Sequence, residues 1–218
     1  AVAREQVEGG AHALDICVAL TERADEQDQM VRTVRLLSGQ IEAPLCIDST
    51  EPDVVAAALE WLPGIGIVNS VHLERGWERI DKIFPLMKLY GACTVAMTID
   101  EKGMALTRER KLEVAQRIYE RALKDGLQPW QLLFDVLTFT LATGDEQYRK
   151  SAVETIEGIA LLKEKLPGVL TVLGLSNVSF GLSKPSRPIV NSVFLTHCLR
   201  AGLDAAIVPE RPARRIHV

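Results

Sequence analysis

Two periodicities alternate along the chain. Short apolar runs, rich in β-branched residues, occupy positions 13–20, 44–49, 65–71, 93–99, 131–137, 169–177 and 203–208. Their length and composition predict buried parallel strands. Amphipathic stretches with polar faces fill roughly 25–38, 52–61, 76–90, 107–125, 145–165 and 188–201, and these predict helices. The opening "AVAREQVEGGAHA" reads as one more helix, ending at Gly9–Gly10. Gly91, Gly126, Pro167–Gly168 and Gly202 mark helix exits.

Strict alternation of helix and strand without a hairpin signal implies an all-parallel sheet covered by helices, an α/β fold. The pattern holds seven strands and seven helices. A closed (β/α)8 barrel of the TIM type needs one more strand, expected before residue 1, so the pattern predicts either a barrel lacking its first strand or an open, doubly wound sheet. No GxGxxG follows the first strand, which removes the strongest argument for a dinucleotide fold. Without repeats, low-complexity tracts or a linker, residues 1–218 read as a single domain.

Composition narrows the function classes. The 218 residues are 47% apolar and 25% charged, with a formal net charge of −4. Such a balance gives no electrostatic case for nucleic acid or an anionic membrane. No apolar run reaches the roughly 18 residues of a membrane span, and no signal peptide opens the sequence, so a cytoplasmic protein is expected. Cys17, Cys46, Cys93 and Cys198 form no CxxC or Cys–Cys pair; they read as buried, reduced thiols. No HExxH or similar spacing occurs among the histidines, so no bound metal is expected.

The chemistry concentrates at strand exits, where a parallel barrel builds its sites. Asp48–Ser49, Asn69–Ser70, Asp100–Glu101, Asp135 and Ser176–Asn177 all fall there. Asp, Asn and Ser before a helix commonly cap it, and Asp53 and Asp145 read as such caps. Asp48, Asn69, Asp135 and Asn177 differ because each follows a continuous hydrophobic run. A buried carboxylate is costly without donors, and a ligand can supply them. Two carboxylates and two amides suit a flat, nitrogen-rich heterocycle: a carboxylate accepts a forked pair of N–H groups, and an amide both donates and accepts.

The stretches "AREQVEGGAHALDI", "IDST", "IVNSVHLERG", "TIDEKGMALTRERK", "LLFDVLTFTLATGDE", "TVLGLSNVSFGL" with "RPIVNSVFL", and "AGLDAAIV" resemble the pterin-binding methyltransferases, in particular the folate-binding domains of cobalamin-dependent methionine synthases. They span nearly the whole chain in the family's order. The corrinoid/iron–sulfur protein methyltransferases and, more distantly, the dihydropteroate synthases share this barrel. The resemblance implies that Asp48, Asn69 and Asp135 hold the pterin's amino-pyrimidine edge. It places Asn177, beside Ser176, near N5 of 5-methyltetrahydrofolate, and Arg187 toward the rest of the folate. Asp100, Glu101 and Met104 would belong to a loop over the site.

The implied reaction passes the N5 methyl group to the reduced cobalt of a corrinoid, which another domain or protein would carry. The amine leaves poorly unless N5 is protonated or strongly hydrogen-bonded; general-acid assistance of this kind contributes about 10²–10⁴-fold. Asn177 has no accessible pKa, so it would accept a hydrogen bond from protonated N5 while water relays the proton. The chain departs from the family where Cys17 replaces a common Asn, where Val136 replaces the proline of an "FDP" motif, and in the tail "PERPARRIHV". It has no DxHxxG of the kind that ligates cobalamin and no Cys–Cys zinc site. Alternative readings are the iron–sulfur partner enzyme, a dihydropteroate synthase, for which "SKPSR" is a poor match, and a non-catalytic folate-binding fragment.

Overall fold

A computed structural model describes residues 1–20 and 24–208. It divides into two compact units: Ala1–Val71 with Trp77–Val95, and His72–Gly76 with the chain from Ala96 onward. The seven expected strands are all present among the described residues.

The first unit contains α1 (Val2–Glu8), β1 (Leu14–Cys17), α2 (Glu26–Ser38), β2 (Leu45–Asp48), α3 (Pro52–Leu59), β3 (Ile67–Val71), α4 (Glu78–Tyr90) and the start of β4 (Cys93–Met97). β1 pairs parallel to β2, and β2 to β3. The register sets Cys17 opposite Asp48, and Asp48 opposite Asn69. Ile47 and Val68 are fully buried, as are Met30, Val34, Val55, Ile80, Ile83 and Met87 from the helices. Each such side chain contributes about 1.5–3 kcal/mol on leaving water. α4 stops at Gly91, whose φ of +65° closes the helix with the Ala92 amide donating to the Met87 carbonyl at 3.1 Å. A side chain with a Cβ disfavours that left-handed conformation.

The second unit contains β5 (Ile99–Asp100), β6 (Gly103–Met104), α5 (Arg108–Lys124), β7 (Leu132–Asp135), α6 (Ser151–Lys165), β8 (Leu170–Gly174), α7 (Ser186–Arg200) and β9 (Ala205–Ile207). β7 pairs parallel to β8, and β8 to β9. α5 starts at Thr107, whose hydroxyl accepts from the Arg110 amide at 3.3 Å. Its inward stripe, Lys111, Val114, Ala115, Ile118 and Ala122, packs against α6. Helical spacing explains the four apolar members; the lysine is the exception.

Five expectations need correction. Ile99–Asp100 and Gly103–Met104 form a short antiparallel ribbon where no hairpin was expected, turning through Gly103 at φ +94°. β8 ends at Gly174, and Leu175–Ser179 is a 3-10 turn, so Ser176 and Asn177 stand beyond the strand. α6 begins at Ser151 rather than 145, after a single 3-10 turn at Glu146–Tyr148. Asp53 lies inside the first turn of α3, whose cap position is Glu51, and there it favours the helix through its charge at the positive end of the dipole. Asp145 precedes that 3-10 turn, giving its backbone carbonyl to the Tyr148 amide. The tail at 209–218 lies outside the described residues. Among the described residues, no helix is long and apolar enough to cross a membrane.

Candidate functional site

In the first unit the polar exits share one sheet face. β1 alternates, with Leu14 and Ile16 buried and Asp15 and Cys17 exposed on the other side. The register continues that face onto Cys46, which is itself buried, and Asp48 of β2, and then onto Asn69 of β3. Asn69 Nδ2 donates to Asp15 Oδ1 at 3.4 Å. The structure thus unites two of the expected residues, Asp48 and Asn69, and adds Asp15, which the sequence reading passed over inside a run taken as uniformly buried.

Burial and the neighbouring Asp15 carboxylate raise the Asp48 pKa; the Cys17 thiol and the Arg79 guanidinium work against them. Arg79 itself is spent on backbone, donating to the carbonyls of Ser49 (2.7 Å), Thr50 and Ser70. It fastens the turn that follows Asp48 to the end of β3 beside Asn69. The Asn69–Ser70 peptide is cis. Cys17 is exposed, contrary to expectation, whereas Cys46, Cys93 and Cys198 are buried thiols.

In the second unit Asp135 closes β7. Its Oδ1 accepts from the Leu137 amide at 2.8 Å, and Leu137 has a φ of +60°, a conformation that an ordinary residue holds only when its surroundings fix it. Burial pushes the Asp135 carboxyl up to about 6, against the hydrogen bonds of the Leu137 and Gly174 backbone and the charge of Lys111. At neutral pH it is a carboxylate under strain from desolvation, stabilised further by any donor that reaches it.

Beyond β8, Arg187 of α7 donates from Nε to Ser179 Oγ at 3.2 Å and from Nη2 to the Ser176 carbonyl at 3.5 Å. It braces the 3-10 turn that presents Asn177, whose side chain is exposed. A Cβ built on Gly174 would lie 2.9 Å from Asn177 Nδ2, so the amide occupies space that only glycine leaves open. Ser176 contributes its carbonyl to this bracing.

Asp100 is held within its own unit by arginines. It is almost fully buried (1% exposed) and takes a forked pair of bonds from Arg110 Nη2 at 2.8 and 2.7 Å, plus one from Arg117 Nη1 at 2.9 Å. Burial acts to raise its pKa, but Arg110, the Lys102 amide and Arg117 outweigh it and hold the carboxyl below the usual range. Its donors come from its own unit, which makes it an anchor for the β5–β6 ribbon. Glu101 shares Arg117, and Met104 is exposed. Among the described residues, no group of three His, Cys, Asp or Glu side chains is placed to hold a metal ion.

A family profile described as "Pterin binding enzyme" matches residues 1–209. The methionine synthases of Mycobacterium leprae and Mycobacterium tuberculosis are 45% and 44% identical over 211 residues, 95% of this chain. The chain spans only 17% and 18% of their respective lengths. Among solved structures, dihydropteroate synthase from Xanthomonas albilineans in complex with 7,8-dihydropteroate superposes with a TM-score of 0.67 at 19% identity, covering 94% of this chain and 76% of that one. Dihydropteroate synthase from Thermus thermophilus gives 0.68 at 19% identity, covering 94% and 79%. At that identity the likeness speaks to fold alone, and it matches the TIM-type α/β architecture expected from the alternating pattern.

Proposed function

The chain belongs to the pterin-binding enzymes, and from that premise we propose that it binds 5-methyltetrahydrofolate and supports transfer of the N5 methyl group to a reduced corrinoid. The observation that carries this reading is the likeness to methionine synthases along nearly the whole chain, far above that to the dihydropteroate synthases. The corrinoid, held by another domain or protein, would supply the nucleophilic cobalt.

This chain's own residues divide the remaining work. Asp48, Asn69 and Asp135 would read the pterin's amino-pyrimidine edge, Asp135 accepting N–H donors of the ring. A carboxylate already destabilised by burial gains more from such donors than a solvated one. Asn177 would accept a hydrogen bond from N5 once it carries a proton. As the N5–CH3 bond breaks its electron pair stays on nitrogen, so a protonated N5 leaves as a neutral amine rather than an anion. Arg187 would act through the turn it braces and lie toward the rest of the folate.

Methyl transfer from 5-methyltetrahydrofolate to added reduced cobalamin, followed by the change in corrinoid absorbance, tests the reading. The wild type should bind folate and transfer the methyl group. Asn177→Ala should lose about tenfold or more in transfer rate with little change in Kd, because its contact strengthens as the proton arrives. A wild-type chain that neither binds the folate nor supports transfer would sink the proposal.

A further inference from the structure

Lys111 is fully buried at the N-terminal end of the apolar stripe of α5. A lysine is almost never buried without a reason that repays its desolvation. Its three hydrogen bonds all go to backbone carbonyls: Ala105 at 3.1 Å, Leu137 at 3.2 Å, and Val136. An ammonium has three protons, so every donor is used. Two of these carbonyls belong to the residues that directly follow Asp135.

The surroundings are shaped to admit this side chain. A Cβ on Gly158 of α6 would come within 2.9 Å of Lys111 Cδ, so the glycine leaves the channel through which the stem passes. Thr155, one turn earlier, donates to the same Leu137 carbonyl at 2.9 Å. The Phe139 ring lies 5.6 Å from the ammonium. Leu137, its carbonyl fixed by Lys111 and Thr155, turns its amide onto Asp135 Oδ1.

We propose that Lys111 is a positioning residue for Asp135: it clamps the exit turn of β7 so that the Leu137 amide and the carboxylate keep their orientation toward the ligand. The inference rests on the reading of Asp135 as a pterin contact. It gives the buried cation a task in recognition that no strand-exit motif reveals. The charged groups bearing on this pair are Lys111 from α5, Asp135 itself on β7, and Glu154 of α6. Glu154 is also engaged by the Arg108 amide at 2.8 Å.

The test is calorimetric titration with 5-methyltetrahydrofolate from pH 5 to 8, with thermal unfolding measured in parallel, on wild type, Lys111→Met, Lys111→Arg, Gly158→Ala and Asp135→Asn. Folded Lys111→Met should bind about 10- to 100-fold more weakly, the size of effect that supporting contacts to ligand-binding groups typically have. The acid limb of its binding curve should move to higher pH, because the cation no longer favours the Asp135 carboxylate. Lys111→Arg should restore the acid limb and recover part of the affinity. A purely structural lysine would lower the unfolding temperature and leave that limb where it is in the wild type. Should Lys111→Met fail to fold, Gly158→Ala decides the matter by pushing the lysine stem while keeping its charge: several-fold weaker binding supports the role, and unchanged affinity overturns it. Wild-type affinity and acid limb in folded Lys111→Met, with Asp135→Asn still losing binding, overturn the Lys111 role and leave the pterin reading standing. Undiminished binding by Asp135→Asn overturns both.

Discussion

Asp48 and Asp135 occupy equivalent positions, each closing a parallel strand ahead of a turn, yet their surroundings are opposite in character. Asp48 shares its open sheet face with Asp15, Cys17 and Asn69, and burial and a second carboxylate push its pKa up. Asp135 stands with a buried lysine and two backbone hydrogen bonds, and burial alone pushes it up to about 6. Both turns are fastened by a cation reaching carbonyl oxygens, Arg79 in one unit and Lys111 in the other. The device is shared; the charge balance is not. On the proposed reading, a surface with two acids and an amide would accept a donor-rich ligand edge from an open face, whereas a single acid raised by burial would gain the most from one ligand group that covers it.

The largest expected effect is on the second unit. Asp135→Ala should weaken 5-methyltetrahydrofolate binding by about 2–4 kcal/mol, the cost of removing a buried charged partner, as measured by calorimetry. Asp48→Ala should lose less, because Asp15 and Asn69 remain on the same sheet face. An equal or greater loss at Asp48 would break the comparison.

The next effect concerns the free protein. A folded-state pKa of about 6 lies above the ordinary carboxyl value of 3.8, so the folded chain holds this proton more tightly than the unfolded one. Stability from this group is therefore full below about pH 4 and falls as pH rises toward 6. Some two pKa units correspond to roughly 2–3 kcal/mol. Asp135→Asn, which cannot ionise, should remove most of this fall and unfold at higher urea than the wild type at pH 7.

Smallest is the corresponding change in the first unit. Asp48→Asn should also stabilise the protein at pH 7, with the same sign and a smaller shift in the urea midpoint. A larger gain there than at Asp135 would mean that like-charge repulsion, rather than burial, dominates these exits.

The sequence made the strand–helix order legible because seven apolar runs and their amphipathic partners obey different periods. Asp135 was visible as an acid at the end of "LLFD". Asp15 was not, because "ALDICVAL" was read as one buried run; the alternation of Leu14 and Ile16 with Asp15 and Cys17 was the available signal. Lys111 carried a signal too, as a charged residue on the stripe shared with Val114, Ala115, Ile118 and Ala122. What it touches could not be read, since the Val136 and Leu137 carbonyls lie 25 and 26 residues along the chain. The β5–β6 ribbon escaped notice because each strand is two residues long. The Asn177 turn escaped because the leucines of "TVLGL" continue the apolar run past the glycine that ends β8.

Gly174 joins two matters that usually vary separately. Its backbone helps keep Asp135 ionised, and its missing side chain gives the Asn177 amide room to lie where it does. Its φ of −69° would tolerate alanine, so a search for sturdier variants would find this position attractive. A methyl group there would twist Asn177 aside, so on the proposed reading Gly174→Ala would fold as well as before and yet transfer the methyl group more slowly.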